Sequence, residues 1–265
     1  MKRKIALSLV ALLGASAFAG GGHSDLYATK GCQQEYNGYW GFGAGWNRDN
    51  SEFKVEEYDV ATQSSARVSA KENKSAGVGH FFLGYSFYND MPYSVAVEAG
   101  MYTSGKKVST TKMVQGSAGV EVSGTAKISA ERRPAYYLAL KPRYASGDWW
   151  VNLTLGAAAS TYRVKSDFYN APTVATSNSS TLEAGTSDGV ATYGYMLGAG
   201  VGMWFNPSWA VSLDYDYMNM RKESSKTFKN YSAGAVTSYY KSAIKDGTSS
   251  HFVTLNLKNN FNWFA

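Results

Sequence analysis

The chain has 265 residues, a formal net charge of +6, 27 glycines, 20 tyrosines and only five prolines. Its single cysteine, Cys32, excludes an internal disulfide, and so many aromatics with so few prolines exclude a disordered chain. No apolar run reaches the roughly 20 residues that a membrane-spanning helix needs.

Residues 1–19 open with Lys2, Arg3 and Lys4, run through apolar Ile5 to Leu13, and close on Ala17-Phe18-Ala19. A basic start, a short apolar centre and small residues one apart are the pattern of a secretory leader cut after Ala19. Its removal leaves 246 residues carrying +3, because three basic residues depart with it. Residues 20–35 read as a polar periplasmic tail holding His23 and a free Cys32 thiol. Residues 36–265 read as one folded unit.

That unit alternates with period two, the mark of β-strands. Trp40, Phe42, Ala44 and Trp46 alternate with Tyr39, Gly41, Gly43 and Gly45. Phe81, Leu83, Tyr85 and Phe87 alternate with His80, Gly84 and Ser86. Tyr93, Val95, Val97, Ala99 and Met101 alternate with Ser94, Glu98 and Gly100. Tyr136, Leu138 and Leu140 alternate with Tyr137, Ala139, Lys141 and Arg143. Trp149, Val151, Leu153 and Leu155 alternate with Trp150, Asn152, Thr154 and Gly156. Tyr193 to Met203 alternates with Gly194, Gly198, Gly200 and Gly202. Trp209 to Tyr217 alternates with Ser212, Asp214 and Asp216, and Val253 to Trp263 with Thr254, Asn256, Lys258 and Asn260. These are eight strands, each long enough for the roughly 9–11 residues that cross a bilayer obliquely.

Alternation alone fits two folds. A soluble sandwich hides the apolar set in its core. A membrane barrel turns that set to lipid. The connections decide. Asn89 to Pro92, Ser146 to Asp148 and Asn206 to Ser208 are tight, whereas Asn50 to Lys74, Lys106 to Lys127, Ser166 to Asp188 and Lys222 to Ser249 are long. They alternate along the chain, as short periplasmic turns and long external loops do. Trp40, Phe87, Tyr93, Tyr144, Trp149, Phe205, Trp209 and Trp263 fall at the strand ends nearest the short turns, where an interfacial girdle belongs. Tyr193, Tyr215 and Tyr217 begin a second girdle. The expected fold is all-β: an eight-stranded antiparallel up-and-down transmembrane β-barrel with four long external loops and three short periplasmic turns.

The stretches "GHFFLGYSFYNDMPYSVAVEAGMY" and "LGAGVGMWFNPSWAVSLDYDYM" resemble hairpins of the small eight-stranded outer-membrane barrels. That family includes the OmpA transmembrane domain, OmpX, Ail and the opacity proteins. The resemblance is one of pattern over the mature chain. It implies a bacterial outer-membrane location in a Gram-negative cell, and a structural, adhesive or host-interaction role. Members usually end in a phenylalanine read by the barrel-insertion machinery. This chain ends Trp263-Phe264-Ala265, and Trp263 has the parity to take that part.

Enzymatic barrels carry recognisable residues. A lipid A deacylase needs His-x-Ser on the lipid face, but His251 is followed by Phe252 and Val253. An omptin-type protease needs paired aspartates and an Asp-x-His, and only Asp214-x-Asp216 is present. No Cys and His grouping has metal-ligand spacing, and the glycine clusters lack the strand-turn-helix setting of phosphate loops. The expectation is a non-enzyme without cofactor or metal, and without a nucleic-acid partner.

Inward parity collects Glu98, Glu131, Asp214 and Asp216 with Arg133, Lys141, Arg143 and Lys258. Their signs balance, and a barrel this narrow has room only for its own side chains. A salt-bridge network closing the lumen is expected; a small pore is the alternative. The last loop concentrates Lys222, Lys226, Lys229, Lys241 and Lys245 around Tyr231, Tyr239 and Tyr240. Such lysines suit lipopolysaccharide phosphates, or a polyanionic host glycan or matrix protein.

Overall fold

The structure, a computed structural model, describes residues 37–59, 65–90, 92–104, 107–113, 115–116, 125–169, 182–183, 190–206, 208–220, 226–232 and 235–262. The leader, the tail with His23 and Cys32, Lys222 and the terminal Trp263 lie outside these residues. The described residues form twelve strands: β1 (Gly38–Asp59), β2 (Ser65–Asp90), β3 (Tyr93–Thr103), β4 (Lys107–Met113), β5 (Gln115–Gly116), β6 (Thr125–Ser146), β7 (Trp149–Tyr169), β8 (Leu182–Glu183), β9 (Val190–Trp204), β10 (Trp209–Met220), β11 (Lys226–Ser232) and β12 (Ala235–Phe261).

Four of these strands continue others. β4 takes over from β3 along β6, and β5 meets β2 in the same register that β3 keeps with β2. β8 precedes β9 along β7, and β11 extends β10 along β12 without a change of register. The wall therefore has eight antiparallel up-and-down strands, and β12 pairs with β1 to close it. Lipid offers no hydrogen bonds, so only a ladder without edges can stand in it.

The stagger of the closure can be counted. The row of paired residues from Tyr39 passes through Gly84, Glu98, Ala139, Gly156, Met196, Met218 and Ser250 and returns to β1 at Asp49. That is ten residues beyond its start. Eight strands with this stagger tilt by roughly 35–45° and enclose a tube just wide enough for side chains.

Burial inverts the pattern of a soluble protein. Leu255 is 60 % exposed while its neighbours Thr254 and Asn256 are 0 % and 1 %. Leu138, Leu153, Leu155 and Leu197 likewise stand outward. Tyr39, Phe82, Tyr102, Tyr137 and Phe252 point inward with the polar residues. The soluble-sandwich reading fails on this point, because the large aliphatic set has no core to enter.

The tight connections follow from local chemistry. Gly147 adopts φ 59°, the left-handed conformation glycine accepts at no steric cost, between Ser146 and Trp149. Asn206 Oδ1 accepts hydrogen bonds from the Ser208 and Trp209 backbone amides at 3.0 and 2.8 Å and so closes the third turn.

Two expectations need correction. Glu131 and Arg133 do not face the lumen; both are exposed on the outer wall. The β6–β7 register shifts between Arg132 and Ala135, at Pro134, which has no amide hydrogen for the ladder. The extra residue of this bulge flips the parity beyond it, and Arg132 turns inward instead. Three of the four long loops, too, are in large part strand, while most of Ser166 to Asp188 lies outside the described residues. β1 and β2 stay paired up to Tyr58 and Ser65, and β12 runs from Ala235 to Phe261 with β11 beside it.

An arginine at Leu155, which faces lipid beside Leu140 and Leu197, should cost roughly 2–4 kcal/mol if that position lies near the bilayer midplane. Urea unfolding in lipid vesicles measures this. Wild-type stability for Leu155→Arg would contradict the lipid-facing assignment.

Candidate functional site

Two regions hold the functional side chains: the lumen and the wall beyond the bilayer. The lumen is built on a pairing of glycine with aromatic rings. A β-carbon at Gly84 would collide with the Tyr39 ring, one at Gly100 with Tyr137, one at Gly202 with Trp150 and one at Gly41 with Phe82. Each ring lies against the bare backbone of the adjacent strand. This is the physical reason for the glycine parity in the sequence.

Near the short turns the lumen's cations rest on rings. Lys258 Nζ lies 3.5 Å from the Tyr39 ring centroid, and the Arg143 guanidinium carbon lies 4.5 Å from that of Trp150. Such contacts substitute in part for a carboxylate partner. Midway, Glu98 is the hub. Lys141 Nζ stands 2.8 Å from its Oε1, Tyr137 Oη donates to Oε1 at 2.8 Å, and Tyr39 Oη donates to Oε2 at 3.0 Å.

His80 links this hub to the opposite wall. Its Nε2 is 2.8 Å from Tyr137 Oη and its Nδ1 is 2.8 Å from Asn256 Oδ1. Asn256 Nδ2 in turn donates to Asp214 Oδ2 at 2.6 Å. The His80 ring stacks on Tyr102 at 4.1 Å, and Tyr102 stacks on Phe252 at 4.2 Å. Tyr102 Oη donates to Asp216 Oδ2. β3 and β10 are four strands apart in a ring of eight, so this bond spans the tube. Higher up, Arg132 donates to Asp49 Oδ1 at 2.7 Å and to Ser250 Oγ at 2.9 Å. β6 and β12 are also four apart, so Arg132 forms a second crossing.

The eight predicted lumen charges thus sort unevenly. Glu98, Lys141, Asp214, Asp216 and Lys258 are buried inside, and Arg143 is half-buried there. Glu131 and Arg133 are outside. Glu98 and Lys141 form an ion pair, whereas Asp214 and Asp216 have no ion-pair partner among the described residues. Sequence reasoning missed Arg132 and Asp49. Asp49 continues the inward parity of Tyr39 to Asn47 and is found by extending β1 beyond Trp46. The signal for Arg132 was Pro134 two residues on.

On the outer face, Phe87, Tyr93, Trp149 and Phe205 stand exposed near the short turns, and Trp40 meets Trp209 edge-on at 6.0 Å. Toward the other end, Trp46, Tyr193, Tyr195 and Tyr215 are exposed, and Tyr215 Oη is 2.8 Å from His251 Nδ1. Of the loop lysines, Lys226 and Lys229 lie on β11, and Lys241 and Lys245 on β12. The register sets Lys241 opposite Glu56 and Lys245 opposite Glu52. Among the described residues no group of three or more His, Cys, Asp or Glu side chains could hold a metal ion.

Comparison with known proteins adds three findings. The family model described as outer membrane protein beta-barrel domain matches residues 5–240. No curated protein matches the chain. Among solved structures, the chain is similar to OprG of Pseudomonas aeruginosa at 14 % identity, covering 87 % of this chain and 99 % of that one, with a TM-score of 0.44. It is similar to the outer membrane protease OmpT of Escherichia coli at 12 % identity, covering 85 % and 97 %, with a TM-score of 0.42. Ail of Yersinia pestis, solved with the heparin analogue sucrose octasulfate, shares 10 % identity over 82 % and 99 %, with a TM-score of 0.32. Likenesses this distant carry no argument about activity.

The Glu98 hub generates a prediction. Glu98→Gln strands Lys141 without its carboxylate and should cost roughly 3–5 kcal/mol, whereas Glu98→Gln with Lys141→Met should recover most of that loss. Denaturant unfolding of the refolded barrel measures both. Equal stability of the single and double variants would show that the pair is not coupled.

Proposed function

The chain belongs to the outer membrane protein β-barrel domain family, and from that premise we propose that it is a non-enzymatic surface protein. In this reading a closed barrel anchors it in the bacterial outer membrane, and the wall beyond the bilayer meets partners outside the cell. The observation that carries the reading is strand length. β1, β2, β6 and β12 have 22, 26, 22 and 27 residues, whereas a tilted strand needs roughly 9–11 to cross a bilayer. About half of each is surplus to the span, and all the surplus is on the side away from the short turns. A cell gains nothing in anchoring from so much ordered β-structure outside the lipid.

Two further points support it. The crossings from Tyr102 to Asp216 and from Arg132 to Ser250, with the stacked rings between them, obstruct the tube. Asp214 and Asp216 point into that packed interior, and His251 is followed by inward Phe252 and lipid-facing Val253, which favours a non-catalytic reading. The leader would be removed near Ala19, and the last strand, through Phe261 and Trp263, would be read by the insertion machinery.

The partner surface we favour is the β11–β12 hairpin with Lys226, Lys229, Lys241 and Lys245, together with Lys222 just before it in the sequence. Its targets are lipopolysaccharide phosphates and, beyond them, a polyanionic host glycan or matrix protein. Glu52 and Glu56 opposite two of these lysines temper the positive charge, so the attraction should be modest and salt-sensitive. Whole cells with and without the protein, presented to glycans and matrix proteins, test the reading. Replacing Lys226, Lys229, Lys241 and Lys245 with serine should weaken binding while gel mobility stays that of a folded barrel. Binding that survives both this change and high salt would reject the lysine hairpin as the contact.

One observation favours the pore reading: Arg143 Nε, Trp150 Nε1 and Asn152 Oδ1 are buried without a protein partner, and water in the lumen would satisfy them. Planar-bilayer recording separates the two. The closed reading expects no steady conductance, and reproducible single-channel steps would replace it with a small channel.

A further inference from the structure

β9 lies between β7 and β10 as a strip of inward glycines. Asn152 and Asp214 flank Gly200, and Thr154 and Asp216 flank Gly198. With no side chain on the middle strand, the flanking groups lean over it. A β-carbon on Gly200 would collide with Asp214 Oδ1 and lie 2.9 Å from Asn152 Oδ1, and one on Gly198 would collide with Asp216 Oδ1. All four flanking residues are no more than 5 % exposed.

Each carboxylate commits only one oxygen. Asp214 Oδ2 accepts from Ser212 Oγ at 2.7 Å and from Asn256 Nδ2 at 2.6 Å, and Asp216 Oδ2 accepts from Tyr102 Oη. Asp214 Oδ1, Asp216 Oδ1, Asn152 Oδ1 and Thr154 Oγ1 have no partner in the protein. Three of these four atoms are pure acceptors and cannot satisfy one another. The lumen's cations are engaged elsewhere: Lys141 on Glu98, and Arg143 and Lys258 over aromatic rings. Buried acceptors left in this state are costly, and more so when they carry charge.

We propose that this strip holds a hard divalent cation of the calcium type. Asp214 Oδ1, Asp216 Oδ1 and Asn152 Oδ1 are its ligands or the anchors of its water shell, with Thr154 Oγ1 at the edge. Calcium takes six to eight oxygens in a flexible arrangement, drawn from carboxylates, amide carbonyls and water. Two carboxylates match its charge, and the lack of sulfur or imidazole donors here disfavours zinc. The ion would tie β7 to β10, which share no ladder because β9 separates them. The site is independent of whatever the external hairpins bind.

The test is to refold the chain with calcium chloride in detergent free of lipopolysaccharide, whose phosphates would themselves bind calcium. The protein is then desalted into metal-free buffer and its metal content measured by mass spectrometry. An enclosed ion escapes slowly, so about one calcium per barrel should remain, as for a single buried oxygen site. The temperature at which folded gel mobility is lost should rise relative to protein refolded in EDTA. Asp214→Asn with Asp216→Asn should abolish both effects, and Gly200→Ala, which places a methyl against Asp214 Oδ1 and Asn152 Oδ1, should reduce them. Glu131→Gln, on the outer wall, should change neither. Wild-type protein without retained calcium would overturn the site and leave these oxygens to water. So would equal retention by wild type and the Gly200→Ala or double-asparagine variants. If the double variant does not fold, wild type and Gly200→Ala decide.

Discussion

The constraint on which everything else in this molecule depends is that lipid cannot hydrogen-bond a peptide group. It obliges β12 to return to β1, and it makes the count of eight strands and the stagger of ten residues the determinants of what fits inside. A tube of that width is too narrow for two facing layers of large side chains. The structure resolves the conflict by giving one strand a glycine where its neighbour carries a ring, as at Gly84 beneath Tyr39 and Gly202 beneath Trp150. The aromatic content of the sequence is thus divided between two tasks. Outward rings meet the interface, and inward rings fill the lumen.

The same narrowness governs the charges. Charge balance across the lumen does not produce a set of simple ion pairs. Glu98 and Lys141 meet directly, supported by two tyrosine hydroxyls. Lys258 and Arg143 instead face rings, which cost less to bring together with a cation than a hydrated carboxylate would. That leaves Asp214 and Asp216 tied to neutral donors on one side and open on the other. The lumen is a layered structure: cations on aromatics near the short turns, a carboxylate hub midway, and the crossing from Arg132 to Asp49 and Ser250 above.

Beyond the bilayer the ladder does not stop. β1, β2, β6 and β12 carry their pairing outward, and β4, β5, β8 and β11 prolong their neighbours. Backbone pairing there is a choice of the sequence, since water could satisfy those groups. Ordered wall in place of loose loops lowers the entropy that binding of any partner would cost, and it places Lys241 and Lys245 of β12 in register with Glu56 and Glu52 of β1.

Much of the fold was legible beforehand because a half-buried strand writes its two environments into alternate residues. The eight strands, their order, the tight turns at Gly147 and Asn206 and the aromatic belts all follow from period two and turn chemistry. Parity also assigned Glu98, Lys141, Arg143, Asp214, Asp216 and Lys258 to the interior. It failed at Glu131 and Arg133, because a bulge at Pro134 shifts the count and period two carries no memory past an insertion. It took the outer strand extensions for loops, because residues with water on both faces have no reason to alternate. By itself the sequence determined the barrel, its span and its two faces, since these depend on spacing along the chain. Which inward groups meet was decided only by closure. The distance from Tyr102 to Asp216, or from Arg132 to Ser250, depends on a stagger summed over the whole ring of strands, and no local segment contains that sum.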